Sequence, residues 1–186
     1  MSNFLLRDPD CILIHIPKTG GSSIRRGLWQ GRYDGPAFGE IPEDWPQLFR
    51  FAFVRHPLDR FVSAYADFTQ IRGYKGSMGR FADIVMDESV GYGEERATRK
   101  ERIRHHTIPQ THPFNCLDLA DTVYRFEAYE AELARLAEKT GVGLDGLQHR
   151  RRTQHEGWRA VMDADLVRKL TGFYEEDFTR LGYALP

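Results

Sequence analysis

A strand, a tight turn and a helix are predicted by the run Cys11-Ile-Leu-Ile-His-Ile-Pro-Lys-Thr-Gly-Gly-Ser-Ser23. Its first half is apolar and rich in isoleucine, which is typical of a short buried strand. Pro17 lacks the N–H that a central strand needs, and the paired glycines let the backbone bend and approach a ligand closely. Ser22 or Ser23 is expected to cap the helix that follows. The amides of such a turn favour a bound anion, and Lys18 would add a positive charge.

The order of residues in this turn differs from that of the phosphate loop in nucleoside-triphosphate enzymes. That pattern requires a glycine, four residues and then Gly-Lys-Ser/Thr, whereas Lys18 precedes the glycines here. The turn instead resembles the 5′-phosphosulfate-binding loop of sulfotransferases, which use 3′-phosphoadenosine 5′-phosphosulfate (PAPS) and commonly carry Pro-Lys-Thr-Gly-Gly-Thr/Ser. The resemblance makes Lys18 catalytic as well as cofactor-binding. The cofactor-binding residues that it implies are Pro17, Lys18, Thr19, Gly20, Gly21, Ser22 and Ser23.

A second strand and helix are predicted by Phe49-Arg-Phe-Ala-Phe-Val54 and the following Arg55-His-Pro-Leu-Asp-Arg-Phe-Val-Ser-Ala-Tyr65. Aromatic residues alternate along the strand, and Pro57 suits the first turn of a helix. Arg55 is therefore expected at the carboxyl end of a strand, where open α/β sheets bind ligands.

This second segment resembles the 3′-phosphate-binding motif of the same enzymes, Arg-x-Pro-x-x-Arg-x-x-Ser-x-Tyr, at every specified position. The resemblance implies that Arg55 and Ser63 bind the 3′-phosphate of PAPS, and that adenosine 3′,5′-bisphosphate is the product. A guanidinium fork binds phosphate through two hydrogen bonds, and a hydroxyl can donate to the same group. Arg60 is expected to be structural, because it points elsewhere on the helix.

A third segment, Arg104-His-His-Thr-Ile-Pro-Gln-Thr-His-Pro113, is predicted to be a loop because it contains Pro109 and Pro113. Its stretch His106–Gln110 is similar to a His-x-x-Pro-Gln element of the carbohydrate-type, family 2 sulfotransferases, and would face cofactor or acceptor. Metal binding is disfavoured, because no carboxylate or cysteine stands at a regular spacing from these histidines. No metal site is expected.

The general base for an acceptor hydroxyl is less clear from the sequence. Relatives place a histidine or glutamate after the first helix, but this chain has no histidine between His15 and His56. Glu40 is the first candidate, on a long loop that could reach the anion-binding turn, and a solvated loop acid is its alternative interpretation. The candidates that follow it are His106 and His105, then Asp44 and His112.

The alternation of strands and helices, with the resemblance, predicts an α/β protein with a three-layer, P-loop-like fold and a central parallel sheet flanked by helices. A third strand is expected at Asp121–Phe126, with a helix after it that Gly141 ends. A last helix is expected at Asp163–Arg180. The chain of 186 residues suits a single domain spanning 1–186, with a loose leader at 1–9.

Composition narrows the possible partners. The formal net charge of -1 disfavours a nucleic-acid binder, and 41% apolar with 28% charged residues is ordinary for a soluble protein. No membrane span or signal peptide is recognised, so a cytoplasmic location without membrane association is expected. The consecutive arginines 150–152 are interpreted as a solvated charge run or as a rim that attracts anions.

Taken together, the resemblance implies transfer of a sulfuryl group from PAPS to a hydroxyl or amine of a carbohydrate or small-molecule acceptor, by in-line displacement without metal. Two alternatives stay open. One is a P-loop-type small-molecule kinase, and the other is a non-catalytic nucleotide-binding domain.

Overall fold

The structure, a computed structural model, describes residues 3–35, 39–45, 47–93, 96–145 and 155–186. Residue contacts divide the chain into two compact units, each made of two segments. The first unit comprises Met1–Arg55 and Gln110–Arg151, and the second comprises His56–Pro109 and Arg152–Pro186. The arginine run 150–152 lies outside the described residues.

A mixed five-stranded sheet forms the centre of the first unit. Its strands are β1 (Phe4–Leu6), β2 (Cys11–Ile14), β3 (Tyr33–Asp34), β4 (Arg50–Val54) and β5 (Thr122–Arg125). They lie in the order β3-β1-β2-β4-β5. β2, β4 and β5 run parallel, whereas β1 is antiparallel to both of its neighbours. The α/β class and the parallel centre are thus confirmed, and two antiparallel strands extend the sheet at one edge.

The first strand replaces the loose leader that was expected at residues 1–9. Phe4 pairs with Leu13 and Leu6 pairs with Cys11 across β1 and β2, and Leu6 is completely buried. Three residues are too few to show a periodic pattern. Their strand conformation comes from pairing with β2 and from burial of their side chains.

Helix α5 (Tyr129–Thr140) follows β5 through a short 3₁₀ turn, Phe126–Ala128. Gly141 ends the helix with φ 79°, as predicted, because this left-handed cap costs glycine little. Two further 3₁₀ turns, Pro113–Asn115 and Leu117–Leu119, precede β5. The apolar core of this unit joins strand and helix side chains, among them Trp29, Phe51, Phe53, Tyr124, Leu133 and Leu136.

The second unit is helical. Its helices are α2 (Pro57–Gln70), α3 (Met78–Met86), α4 (Arg99–Thr107), α6 (Trp158–Val161), α7 (Ala164–Phe173) and α8 (Glu175–Leu181). The single last helix that the apolar periodicity predicted is divided at Tyr174, which lies between α7 and α8. Tyr174 is fully buried, and its hydroxyl donates to the carbonyl of Thr107 at 2.8 Å. This bond fixes the break within the core of the unit.

The histidine-rich segment begins as a helix, so its prediction as a loop was wrong for residues 104–107. Thr98 and Glu101 form a capping box at the start of α4, which continues through His105 and His106 to Thr107. Pro109 lies two residues beyond the helix end, where it disfavours further helical turns without disturbing those before it.

Candidate functional site

The turn that was predicted to bind an anion, called the Lys18 turn below, leaves the sheet at the carboxyl end of β2. Lys18 has φ 70° and Gly20 has φ 87°, so the backbone enters the left-handed region twice within three residues. Gly20 is the N-cap of α1 (Gly21–Ser23), which continues as a π-helical segment, Ile24–Leu28. The prediction that Ser22 or Ser23 caps the helix was therefore wrong. The left-handed glycine starts the helix before either serine.

The first turn of this helix presents backbone amides toward its start. The N–H groups of Ser23 and Ile24 donate to the Gly20 carbonyl at 2.9 and 3.3 Å. Within the described part of the chain, no backbone carbonyl accepts from the amides of Gly20, Gly21 or Ser22. Such amides at a helix start bind anions, because their dipoles converge on one point.

Two side chains press against the glycines of the turn. A Cβ on Gly20 would lie 2.7 Å from Cε2 and Oη of Tyr129, and a Cβ on Gly21 would lie 2.3 Å from Nδ1 of His15. The Tyr129 hydroxyl also donates to the Gly20 carbonyl at 3.1 Å. Burial raises the pKa of Tyr129, so the phenol stays protonated and remains a donor. Only glycine fits at both positions.

Lys18 occupies the most unusual backbone position of the turn. A lysine with φ 70° is uncommon, and strained residues of this kind are concentrated at ligand sites. The Thr19 hydroxyl donates to the Ile16 carbonyl at 2.8 Å and closes the turn on its other side. The half-buried Lys18 side chain therefore starts from a fixed backbone.

Arg55 follows the neighbouring parallel strand at the same edge of the sheet. Ile14 pairs with Ala52, and Val54 pairs with Arg125, so the carboxyl ends of β2, β4 and β5 lie side by side. The Arg55 guanidinium stands over the Phe126 ring, with Cζ 4.5 Å from the ring centroid. This cation–π contact orients a positive group at the edge from which the Lys18 turn departs.

Comparison with known proteins identifies the family. A family model described as "Sulfotransferase family" matches residues 4–184. The chain belongs to the sulfotransferase family. The matched range includes the sheet, the Lys18 turn and Arg55.

Among solved structures, this chain is similar to a crystal structure of a sulfotransferase from Alicyclobacillus acidocaldarius. The TM-score is 0.48 at 20% sequence identity, over 75% of this chain and 55% of that chain. The alignment thus spans about half the length of that protein. No curated protein sequence gave a significant match.

The remaining predicted cofactor ligand, Ser63, lies on α2 in the second unit and is 6% exposed. Arg60, on the same helix, is 1% exposed and donates to the carbonyls of His106 and Ile108 at 3.5 and 2.5 Å. Burial lowers the pKa of Arg60. These bonds to α4 and its end give Arg60 a structural role.

The candidate bases lie in different surroundings. His106 is 2% exposed in the helical unit, where its ring meets Phe68 edge-on at 5.5 Å. His105 is buried beside it. Glu40 and Asp44 are exposed residues of the first unit. His112, also in the first unit, stacks edge-on with the Phe114 ring at 4.7 Å.

A buried asparagine links the backbone of Glu40 to the start of the Lys18 turn. The Asn3 side chain donates to the Glu40 carbonyl at 3.1 Å and accepts from the His15 N–H at 3.1 Å. His15 in turn packs against Gly21. The structure therefore brings the Glu40 segment and the Lys18 turn to neighbouring positions, connected by one side chain.

Sequence reasoning missed Asn3, Phe126 and Tyr129 as parts of this site, and it included Gln110 only as the end of an element that would face cofactor or acceptor. Gln110 lies within a segment that resembles the family, and Phe126 ends a strand that was expected at Asp121–Phe126. Asn3 and Tyr129 carry no local signal, because their partners are far away in sequence.

Two general properties complete the description. No group of three or more His, Cys, Asp or Glu residues that could hold a metal ion occurs in the described ranges. In the same ranges, no helix has both the length and the apolar character that are needed to cross a membrane.

Proposed function

We propose that this protein transfers a sulfuryl group from PAPS to a hydroxyl or amine of a carbohydrate or small-molecule acceptor. The observation that carries the proposal is that two positively charged elements, the Lys18 turn and Arg55, lie at the same edge of the sheet. The strained Lys18 turn follows β2, and Arg55 follows the adjacent parallel strand β4. A nucleotide with phosphate groups at both ends requires two such elements.

Each element has a distinct role in the proposal. The amides of Gly20, Gly21 and Ser22 bind the 5′-phosphate of the donor, and the Lys18 ammonium stabilises the negative charge that develops on the leaving oxygen. Arg55 binds the 3′-phosphate through its guanidinium fork. That Ser63 binds the 3′-phosphate stays a prediction from its motif.

The proposed reaction is an in-line displacement. The acceptor oxygen forms a bond to sulfur while the bond from sulfur to the 5′-phosphate oxygen breaks, and adenosine 3′,5′-bisphosphate leaves. The acceptor proton passes to a general base. As in phosphoryl transfer, positioning and charge stabilisation provide most of the catalysis. The transferred group is less charged than the terminal phosphate of ATP, so the proposal assigns no role to a metal.

We assign the general base to Glu40. A base must lie within hydrogen-bonding reach of the bound acceptor. Glu40 is exposed, and Asn3 holds its backbone beside the residue that begins the Lys18 turn. The His106 imidazole is 2% exposed inside the helical unit, which argues against contact with an acceptor.

Donor binding tests the first part of the proposal. Adenosine 3′,5′-bisphosphate at a hundredfold excess over its dissociation constant should stabilise the protein by about 2.7 kcal/mol, measured by thermal unfolding. Mg-ATP should stabilise it much less. Stronger stabilisation by Mg-ATP than by the bisphosphate would instead support the kinase alternative.

Turnover tests the second part. Transfer of labelled sulfate from PAPS to a panel of sugars, phenols and amines should depend on Lys18, and Lys18→Met should abolish it while preserving the length of the side chain. Lys169→Met on the exposed face of α7 is the matched control and should retain activity. Bisphosphate binding without transfer to any acceptor would favour a non-catalytic nucleotide-binding domain.

A further inference from the structure

Gln110 makes two hydrogen bonds to the backbone of one residue, Arg55. The Arg55 N–H donates to Oε1 of Gln110 at 2.9 Å, and Nε2 of Gln110 donates to the Arg55 carbonyl at 2.8 Å. The side-chain amide thus offers one acceptor and one donor in the arrangement of a neighbouring strand. Gln110 is fully buried and Arg55 is partly buried, so these bonds are largely shielded from water.

Arg55 needs such a partner because it lies just beyond the sheet. The last pairing between β4 and β5 joins Val54 to Arg125, and the chain turns into α2 at Pro57. A polar backbone group that leaves a ladder in a buried place must find another partner. Gln110 continues the hydrogen-bonding pattern for one residue past the end of β4.

Gln110 is itself held in place. Nδ2 of Asn115, which is 1% exposed, donates to the Gln110 backbone carbonyl at 3.2 Å. The Arg55 side chain has a contact of its own, because its guanidinium carbon lies 4.5 Å from the centroid of the Phe126 ring. The Arg55 main chain and the end of its side chain are therefore fixed by two different contacts.

We infer that Gln110 is a positioning residue for the 3′-phosphate of the nucleotide. It acts through Arg55, by fixing the backbone from which the guanidinium extends. The inference rests on the proposed function and deepens it, since it assigns the preference for a 3′-phosphorylated nucleotide to a side chain that does not contact the nucleotide. The glutamine of the His106–Gln110 element thus serves to hold the Arg55 backbone.

The measurement is the ratio of dissociation constants for adenosine 5′-phosphate and adenosine 3′,5′-bisphosphate, obtained by calorimetry. This ratio isolates the contribution of the 3′-phosphate. Arg55→Ala should lower the ratio strongly, because charge-assisted bonds to that phosphate are lost and only the weaker hydroxyl contact predicted for Ser63 remains. Gln110→Met, which keeps the length of the side chain without its hydrogen bonds, should lower the ratio by about tenfold while leaving the affinity for the 5′-phosphate within about twofold.

A double-mutant cycle separates positioning from a general structural effect. If Gln110 acts through Arg55, the variant carrying both substitutions should show the same ratio as Arg55→Ala alone. Gln47→Met changes an exposed glutamine of the same unit and should leave the ratio unchanged.

Gln110→Glu provides a second test, which can still be made if Gln110→Met fails to fold. A protonated carboxyl has the same donor and acceptor pattern as the amide, whereas a carboxylate has no donor for the Arg55 carbonyl. Burial at this position raises the pKa of the introduced carboxyl. The ratio for Gln110→Glu, relative to wild type at each pH, should therefore be low at pH 8 and recover as pH falls through that raised pKa.

Several results would overturn the inference. These are an unchanged ratio in folded Gln110→Met, a parallel loss of affinity for both nucleotides, or no recovery of Gln110→Glu at low pH. A wild-type protein that binds neither nucleotide, or that does not prefer the bisphosphate, would overturn the proposed function as well. The wild-type measurement therefore distinguishes the two failures.

Discussion

Gly20→Ala should destabilise this protein far more than an alanine at a glycine with the same backbone conformation elsewhere. Gly20 has φ 87°, and an added Cβ would lie 2.7 Å from Cε2 and Oη of Tyr129. Gly31 has φ 81°, and nothing lies within 4 Å of an added Cβ there. The two substitutions therefore share a backbone cost, and only Gly20→Ala adds a steric one.

The magnitude follows from these two terms. A non-glycine residue in the left-handed region costs about 1–2 kcal/mol, which is the whole effect expected for Gly31→Ala. In Gly20→Ala the Tyr129 ring must also move, which breaks its bond to the Gly20 carbonyl at a cost of about 1 kcal/mol. The displaced ring packs against Phe53 with centroids 5.2 Å apart, and overpacking a core of this kind costs about 1–3 kcal/mol. Gly20→Ala should therefore exceed Gly31→Ala by about 2–4 kcal/mol.

Urea unfolding followed by circular dichroism measures both free energies, and bisphosphate affinity reports the function of the turn. The affinity should fall in Gly20→Ala and stay unchanged in Gly31→Ala. Adding Tyr129→Leu to Gly20→Ala should cost less than the two single effects combined, because the clash is removed. Equal destabilisation by Gly20→Ala and Gly31→Ala would refute the conclusion that Tyr129 forms a wall of the turn.

Three further predictions concern pH and the helical unit. Burial raises the pKa of the Cys11 thiol from 9.0 to about 12. The unfolded chain releases the thiol proton near pH 9, whereas the folded protein keeps it. The contribution of the protonated thiol to the free energy of unfolding is therefore complete below pH 9 and falls by about 4 kcal/mol between pH 9 and 12. Over this pH interval, urea unfolding should show a smaller loss of stability for Cys11→Ala than for wild type. Equal losses would contradict the raised pKa of Cys11. The hydrogen bonds from Arg50 lower the pKa of Asp121. Because the side chain of Asp121 is 40% exposed, Asp121→Asn should cost no more than about 1 kcal/mol at pH 7. That difference should decrease as pH falls from the ordinary carboxyl range through the depressed pKa, and a difference that does not change with pH would exclude the ion pair as its cause. Tyr174→Phe should destabilise the helical unit by about 1–2 kcal/mol in urea unfolding, because the buried Thr107 carbonyl loses a donor, and an unchanged midpoint would argue against that bond.

The sequence alone determined the two strand-turn-helix segments and the family. Alternating apolar residues, a glycine turn and a proline at the start of a helix are local signals, so the Lys18 turn and the position of Arg55 after β4 could be predicted from them. The central parallel sheet followed, because helical connections favour parallel strands. That β2 and β4 are neighbours in it is known from their pairing in the structure.

Only the tertiary structure decided which side chains support that site. Gln110 bonds to Arg55 across 55 positions, and Tyr129 bonds to Gly20 across 109. The strand at Phe4–Leu6 likewise exists through pairing with β2, and His106 is buried by packing against Phe68. Local patterns do not encode such contacts, because each depends on folding that brings distant residues together in a dry interior.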